Sequence, residues 1–389
     1  PVLLQRLVTA LRRCGRPQEA IARANEGLTR FPGFTDMVFD LALASLALNR
    51  EDDAIGYWKR CIEMGDAPAR FGGSLGAGTY LPRISMAEVH ARRGELEQAE
   101  TLLDWCISEH PNVVGVIAPY ASTLLRSGTP AEDVAEKIEE SVPELTPAAR
   151  HVLATTFFTH GAMAAAENQF RAVLEARPTS AEVRVQLAEI LLNQRNYTEA
   201  AVEASQIADD DPFAGLACRV ELWSLIASGN IEAAHAATAR ATRAGVPAAE
   251  LEVFTGWAEI ETAGAAPDVQ SRKLPAAGVP LLGVILETLL SAHEFDTFEK
   301  LTNLLTNSSL PQREQRELLA NMYLEHGFLQ SAAIEWMAVC ETNPDTRALV
   351  GLARIAKANG QLEDATVFAT EALKQDPTSA GAREILAAA

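Results

Sequence analysis

The sequence predicts an all-α protein built as a solenoid of about ten helix–turn–helix repeats, and three observations carry that prediction. A six-residue signature opening on Gly and closing on Ala returns along the chain, as GRPQEA from Gly15, GELEQA from Gly94, GAMAAA from Gly161 and GQLEDA from Gly360. The closing Ala keeps a spacing of 34 residues, from Ala20 to Ala54 and again through Ala166, Ala200 and Ala234. A fixed period of this length marks stacked supersecondary units rather than one central core. Apolar residues recur at intervals of three and four on both sides of each turn, as Leu187, Ala188 and Leu191 do, which is the stripe of an amphipathic helix.

Taken in order, the repeats fall at 1–34, 35–68, 80–113, 114–146, 147–180, 181–214, 215–248, 313–345 and 346–379. In each, Gly serves the turn, Ala the crossing of two helices, and a later Pro such as Pro178 or Pro212 the exit. Two interruptions break the rhythm. Ala54 to Ala99 spans 45 residues instead of 34, which sets off an eleven-residue, Gly-rich insertion at Ala69 to Thr79. After a helix ending near Thr262, the polar, Pro- and Ala-rich residues 263–279 read as a linker, with a hinge or change of pitch expected there. Helices at about Pro280 to Ala292 and Asp296 to Thr306 then form a degenerate repeat, and Ser379 to Ala389 reads either as the beginning of a helix that covers the last pair or as a frayed end. The organisation is an array over 1–262, the linker, and a second stretch of repeats with a capping helix over 280–389.

Of 389 residues, 48% are hydrophobic and 22% charged, which argues against disorder. The 33 basic and 52 acidic residues give a net charge of −19 with no basic run, so nucleic acid and anionic lipid are excluded as partners, while basic ligands remain open. Five scattered cysteines with no CxxC spacing suggest neither a disulfide framework nor a zinc site, and fit a reducing, cytoplasmic location. The most apolar stretch, Val279 to Leu290, contains Pro280 and Glu287 and is too short to span a bilayer. No signal-peptide pattern follows Pro1, and a start without Met leaves room for an upstream segment.

No catalytic, cofactor-binding or metal-ligating set is expected. Gly72-Gly73-Ser74-Leu75-Gly76 matches a nucleophile elbow in letters, but that chemistry needs a strand feeding the turn and a His and carboxylate meeting the Ser. Gly76-Ala77-Gly78 lacks the Lys and the strand–helix setting of a phosphate cradle. Asp209-Asp210-Asp211 offers oxygens to a hard cation, yet it falls at a repeat junction and reads as solvated linker. The seven histidines occur singly.

The placing of Leu153, Ala154, Phe157, Gly161, Ala166, Phe170 and Pro178, repeated by Leu187, Ala188, Leu191, Ala200 and Pro212, resembles the tetratricopeptide repeat. The resemblance implies a right-handed superhelix whose groove is lined from the first helix of each pair, helix A. Carried onto this sequence, the family's groove places are His151, Thr155 and Phe158; Glu182, Val185, Glu189 and Asn193; Arg219, Trp223 and Ile226; and Arg354 and Lys357. A groove of aromatic and charged residues suits a peptide or protein segment, with Trp223 the first to test as an anchor. Trp58 and Trp336 sit where the family has a bulky core residue of helix B, and the Lys and Asn pattern that clamps a terminal carboxylate is absent.

A second resemblance is narrower. Over Phe34 to Pro111, Gly65-Asp66-Ala67-Pro68 followed by the glycines Gly72, Gly73, Gly76 and Gly78 and then Tyr80 is similar to the repeat region C-terminal to bacterial family-2 glycosyltransferase domains. It departs at Phe71, where that family has Tyr. The resemblance implies a non-catalytic region acting in recognition of a glycosylation acceptor or in self-association as a homo-oligomer, with any transferase domain lying before Pro1. The alternative is a free-standing scaffold that assembles an unrelated complex.

Overall fold

A computed structural model describes residues 1–263, 273–342 and 344–387. Twenty-two α-helices follow one another among them, and the described β-pairing is a single bridge between Leu274 and Ser308. The chain divides into two units, Pro1–Arg195 and Asn196–Ala389. The first holds α1 (Val2–Arg13), α2 (Pro17–Arg30), α3 (Thr35–Leu46), α4 (Glu51–Met64), α5 (Tyr80–Arg92), α6 (Leu96–Glu109), α7 (Ile117–Arg126), α8 (Ala131–Ser141), α9 (Pro147–Thr159), α10 (Met163–Ala176) and α11 (Ala181–Asn193). The second holds α12 (Tyr197–Ser205), α13 (Ala214–Ala227), α14 (Ile231–Arg243), α15 (Ala248–Ala263), α16 (Val279–Ser291), α17 (Phe295–Thr306), α18 (Gln312–Glu325), α19 (Leu329–Thr342), α20 (Thr346–Ala358), α21 (Leu362–Gln375) and α22 (Ala380–Ala387).

The recurring Gly ends helix A of a pair in the left-handed region. Gly161 has φ 76°, and a Cβ there would meet nothing within 4 Å, so the position asks for a backbone conformation rather than for space. The turn closes by Ala162 N donating to Phe157 O at 2.9 Å and Gly161 N to Phe158 O at 3.0 Å, which satisfies carbonyls the helix end leaves open. Asn49, Arg195 and His293 occupy the same conformation without being glycine, at φ 58°, 63° and 60°. His293→Gly is therefore expected to raise stability by about 0.5–1 kcal/mol and Gly161→Ala to lower it by about 1 kcal/mol. Urea denaturation of the two variants, read for opposite signs, checks this.

The alanines after the turns are where helices touch. Ala20, Ala54, Ala99, Ala166, Ala200 and Ala365 are fully buried and Ala234 nearly so, because a methyl group lets two backbones approach closely. A larger side chain at any of them would overpack the crossing by about 1–3 kcal/mol. Trp58 and Trp336 are buried as expected, and the Trp336 ring lies so close over Gly351 that a Cβ there would come within 2.4 Å of it.

Both interruptions are ordered where they are described. The Gly-rich insertion leaves α4 through Gly65, makes a 3₁₀ turn at Ala69–Phe71 and reaches α5 at Tyr80. Of the expected linker, residues 264–272 lie outside the described residues. Its end is pinned: Leu274 is buried, Leu274 O accepts from Ser309 N at 2.8 Å, and Ala276 N donates to Ser309 Oγ at 2.7 Å. At the C-terminus Ala382 and Ile385 of α22 are buried in one cluster with Ala353 of α20 and Ala369 of α21, so α22 covers the final pair.

Asp209-Asp210-Asp211 lies at the junction between α12 and α13 with Asp209 and Asp210 exposed, as the sequence expected, and two of the three carboxylates also hold the turn. Asp209 accepts from Arg240 Nε at 2.9 Å and from Arg243 Nη2 at 2.9 Å. Asp211 Oδ1 accepts from Phe213 N at 2.8 Å and so turns the chain into α13. Hydrogen bonds from Arg240 and Arg243 hold the Asp209 carboxyl below the usual aspartate range. Arg240 also binds Glu221 of α13 and the carbonyl of Ile207, which ties α13 and α14 to the turn before them.

Candidate functional site

The expected groove residues fall into two sets, one in each unit. In the first, α9 and α11 lie side by side, joined by a 2.8 Å hydrogen bond between His151 Nε2 and Gln186 Oε1, and the His151 ring also packs at 5.8 Å from Phe170. Thr155 turns its hydroxyl back onto His151 O at 2.9 Å, and Phe158 is half-buried. Glu182 and Asn193 are exposed on α11, while Glu189 is half-buried, and burial pushes its carboxyl above the ordinary glutamate range. Val185 does not line a groove: it is only 1% exposed and belongs to the packing of α11.

In the second unit Arg219 is committed to an ion pair with Glu250 of α15, Nε to Oε2 at 2.5 Å. Trp223 is half-buried, with its ring edge-on to Trp257 at 6.1 Å, so much of its surface is spent on the neighbouring helix rather than on a ligand. Ile226 is 2% exposed and is a core residue, a further correction to the groove. Arg354 is exposed beside α22 and Lys357 is half-buried on the same helix, α20.

The hollows that do open between helices A lie largely elsewhere. One of about 370 Å³ runs between α3, α5 and α7, with Leu43, Leu46, Trp58 and Val89 among its apolar residues and Glu88, Arg92 and Arg126 among its charged ones. A larger one, of about 640 Å³, lies between α16 and α18, lined by apolar residues such as Val284, Leu318 and Met322 together with Glu287, Glu314 and Arg347. Sequence reasoning missed both because the insertion and the degenerate repeat blur the register at these helices.

The Gly-rich loop is built around two carboxylates. Asp36 of α3, 5% exposed, accepts from Ser74 N at 2.5 Å, and a Cβ on Gly73 would come within 2.3 Å of its other oxygen. Asp66 accepts from Gly76 N at 3.1 Å and Gly78 N at 2.7 Å. Tyr80 closes the loop by donating its hydroxyl to Leu75 O at 3.1 Å, and its ring fills the place a Cβ on Gly76 would need. Gly72 rests on Val2 of α1, and the neighbouring Phe71 packs on Phe34 at 5.4 Å. These contacts explain the glycines by close approach, and the carboxylate nearest Ser74 serves its backbone N–H rather than a catalytic His.

Burial pushes the Cys61 thiol up to about 12 and the Cys106 thiol to about 11, far from the thiolate a nucleophile requires. No group of His, Cys, Asp and Glu that could hold a metal ion occurs among the described residues, and no described helix is long and apolar enough to cross a membrane.

Comparison with known proteins follows the same lines. Two tetratricopeptide-repeat family profiles match, one at residues 6–64 and one at 157–217. No curated protein matches the chain. Among solved structures it is similar to that of Naa15/Naa10 bound to HypK-THB, at 12% identity and TM-score 0.32, over 99% of this chain and 64% of that one. A tetratricopeptide repeat protein from Parabacteroides merdae aligns at 13% identity and TM-score 0.32, over 79% of this chain and 97% of that one. A thermophilic TPR protein of Thermus thermophilus aligns at 22% identity and TM-score 0.32, over 49% of this chain and 97% of that one. With the repeat period, the Gly-capped turns, the buried crossing alanines and the two profile matches together, the chain is an all-α protein carrying tetratricopeptide repeats.

Proposed function

We propose that this chain is a non-catalytic scaffold that holds a protein or peptide segment against its A helices. The observation that carries the proposal is the pair of hollows between consecutive A helices, each lined by apolar and charged residues together. That combination suits a bound segment, since apolar contact supplies affinity and flanking charge supplies orientation. The finer proposal is that the chain serves a bacterial family-2 glycosyltransferase in acceptor recognition or self-association. Its support is the Gly65-to-Tyr80 segment, whose glycines and Asp66 form one interlocked loop.

The test places a photo-crosslinking residue singly at Ser85, at Val284 and at Glu140 of the full chain in its native host. Ser85 and Val284 line the A-helix hollows, and Glu140 lines a cavity on the B-helix side. The same partner captured from Ser85 or Val284 but not from Glu140 is the expected result, and a partner that is itself glycosylated supports the finer proposal. Capture from Glu140 alone would overturn the A-helix assignment.

A further inference from the structure

The hollow between α16 and α18 has a chemistry that selects one class of side chain. Its base is apolar, with Val284 54% exposed and Leu318 and Met322 beside it. Three carboxylates and the Arg347 guanidinium stand around these apolar residues, and the carboxylates are not equivalent. Glu317 is 6% exposed and already neutralised, by Arg313 at 2.8 Å and by Arg347 at 3.0 Å. Glu287 on α16 and Glu314 on α18 are exposed on opposite walls, and neither makes an ion pair among the described residues. Unpaired carboxylates beside exposed apolar surface match side chains with a long hydrocarbon stem and a cationic head, the stem lying on apolar residues such as Val284 and Leu318 and the head reaching a glutamate.

We propose that this hollow docks a basic segment of a partner protein, a Lys or Arg flanked by aliphatic residues, through Glu287 and Glu314. The inference deepens the scaffold reading and rests on it. Charge complementarity argues for the occupant at two ranges. Locally, the carboxylates not already taken are on the walls of the cavity; globally, a chain of net charge −19 attracts cations and repels acidic segments before contact. An acidic peptide would place like charges on Glu287 and Glu314, and a purely aliphatic one would leave both desolvated without a partner. About 640 Å³ accommodates one long side chain with part of its backbone, so a short linear segment suffices and a folded domain is not required.

Three fluorescein-labelled twelve-residue peptides test this with the full chain at physiological salt: one repeating Leu-Lys-Ser, one Leu-Glu-Ser and one Ser-Lys-Ser. Fluorescence anisotropy is expected to show Leu-Lys-Ser binding at least about tenfold more tightly than either of the others. The Glu287→Gln/Glu314→Gln double variant should weaken it about tenfold, whereas Glu132→Gln/Glu136→Gln, which changes net charge equally on α8, should leave it unchanged. Circular dichroism of both double variants confirms that the helices persist. Equal weakening by the two doubles would reduce the effect to general charge attraction and overturn the proposal. Failure of Leu-Lys-Ser to bind, or equal binding of Leu-Glu-Ser, would overturn it as well. If the α16 and α18 glutamates instead alter sedimentation and not peptide binding, the occupant is a second copy of the chain, and the basic-segment proposal falls. Crosslinking from Val284 to an acidic partner would sink this inference alone, while the absence of any partner at both A-helix positions would sink the scaffold reading beneath it.

Discussion

Arg240→Ala is expected to cost about 3 kcal/mol, the largest effect of any single surface-directed change in the second unit. The guanidinium is the common partner of Asp209, Glu221 and the Ile207 carbonyl, and only 14% of its side chain is exposed. Glu221 is 8% exposed, and burial outweighs the attraction of Arg240 enough to push its carboxyl above the ordinary glutamate range. Removing the arginine leaves that carboxylate buried with no cation, and truncating one member of a buried pair exposes the full desolvation cost of the other. A carboxyl whose folded pKa exceeds its unfolded value favours folding when protonated. The deficit of the variant should therefore be largest above the folded pKa of Glu221 and shrink as pH falls through it toward the ordinary value of 4.5. Adding Glu221→Gln to Arg240→Ala should recover part of the loss at neutral pH. Urea melts across the pH range check this, and a deficit independent of pH would show that Arg240 acts by packing alone.

Gly78→Ala is the second large effect, and it should be local. A Cβ on Gly78 would fall 1.9 Å from the Gly65 carbonyl carbon and 2.2 Å from its oxygen, both backbone atoms that cannot rotate aside. Gly65 is itself held, because Thr35 donates its hydroxyl to Gly65 O at 2.6 Å, and Gly78 N is bound to Asp66 at 2.7 Å. Relief requires separating the two ends of the insertion, at a cost of about 3 kcal/mol, and breaks the Asp66 hydrogen bonds with them. In a repeat array such a cost falls on neighbouring units first, so the helices distant from the loop should persist. Limited proteolysis should cut the variant within Ala69 to Thr79 while far-ultraviolet circular dichroism barely changes. Unaltered cleavage would mean that the loop carries no constraint of this kind.

The helix pairs were legible because their determinants are local. Gly161 answers to a φ that only its own turn imposes, and Ala166 to a crossing five residues on, so both are readable from spacing alone. At Ala380–Ala387 the sequence left a capping helix and a frayed end open, and packing on α20 and α21 decides for the cap. Even where His293 replaces the turn glycine, the surrounding pattern carried the assignment.

The candidate site was less legible. Val185 and Ile226 occupy the family's groove places by number, yet adjoining helices bury them, and Trp223 is partly taken by Trp257. Position within a repeat says which helix face a residue is on but not how closely the next helix approaches it. The partners of the exposed Asp209 were not legible on the same ground, because Arg240 and Arg243 arrive from more than thirty residues away. The two A-helix hollows escaped notice because they adjoin the stretches where the period breaks.

By itself the sequence determined an all-α array of helix pairs, with its turns and crossing alanines. The physical reason is that helix periodicity, left-handed capping and close approach at alanine are decided within a few residues. Only the tertiary structure decided which carboxylates are free. Glu317 and Glu287 look alike in sequence, but stacking brings Arg313 and Arg347 to the first and leaves the second unpaired above an apolar hollow. Charge neutralisation depends on distances between residues far apart in the chain, and those distances exist only once the helices have packed.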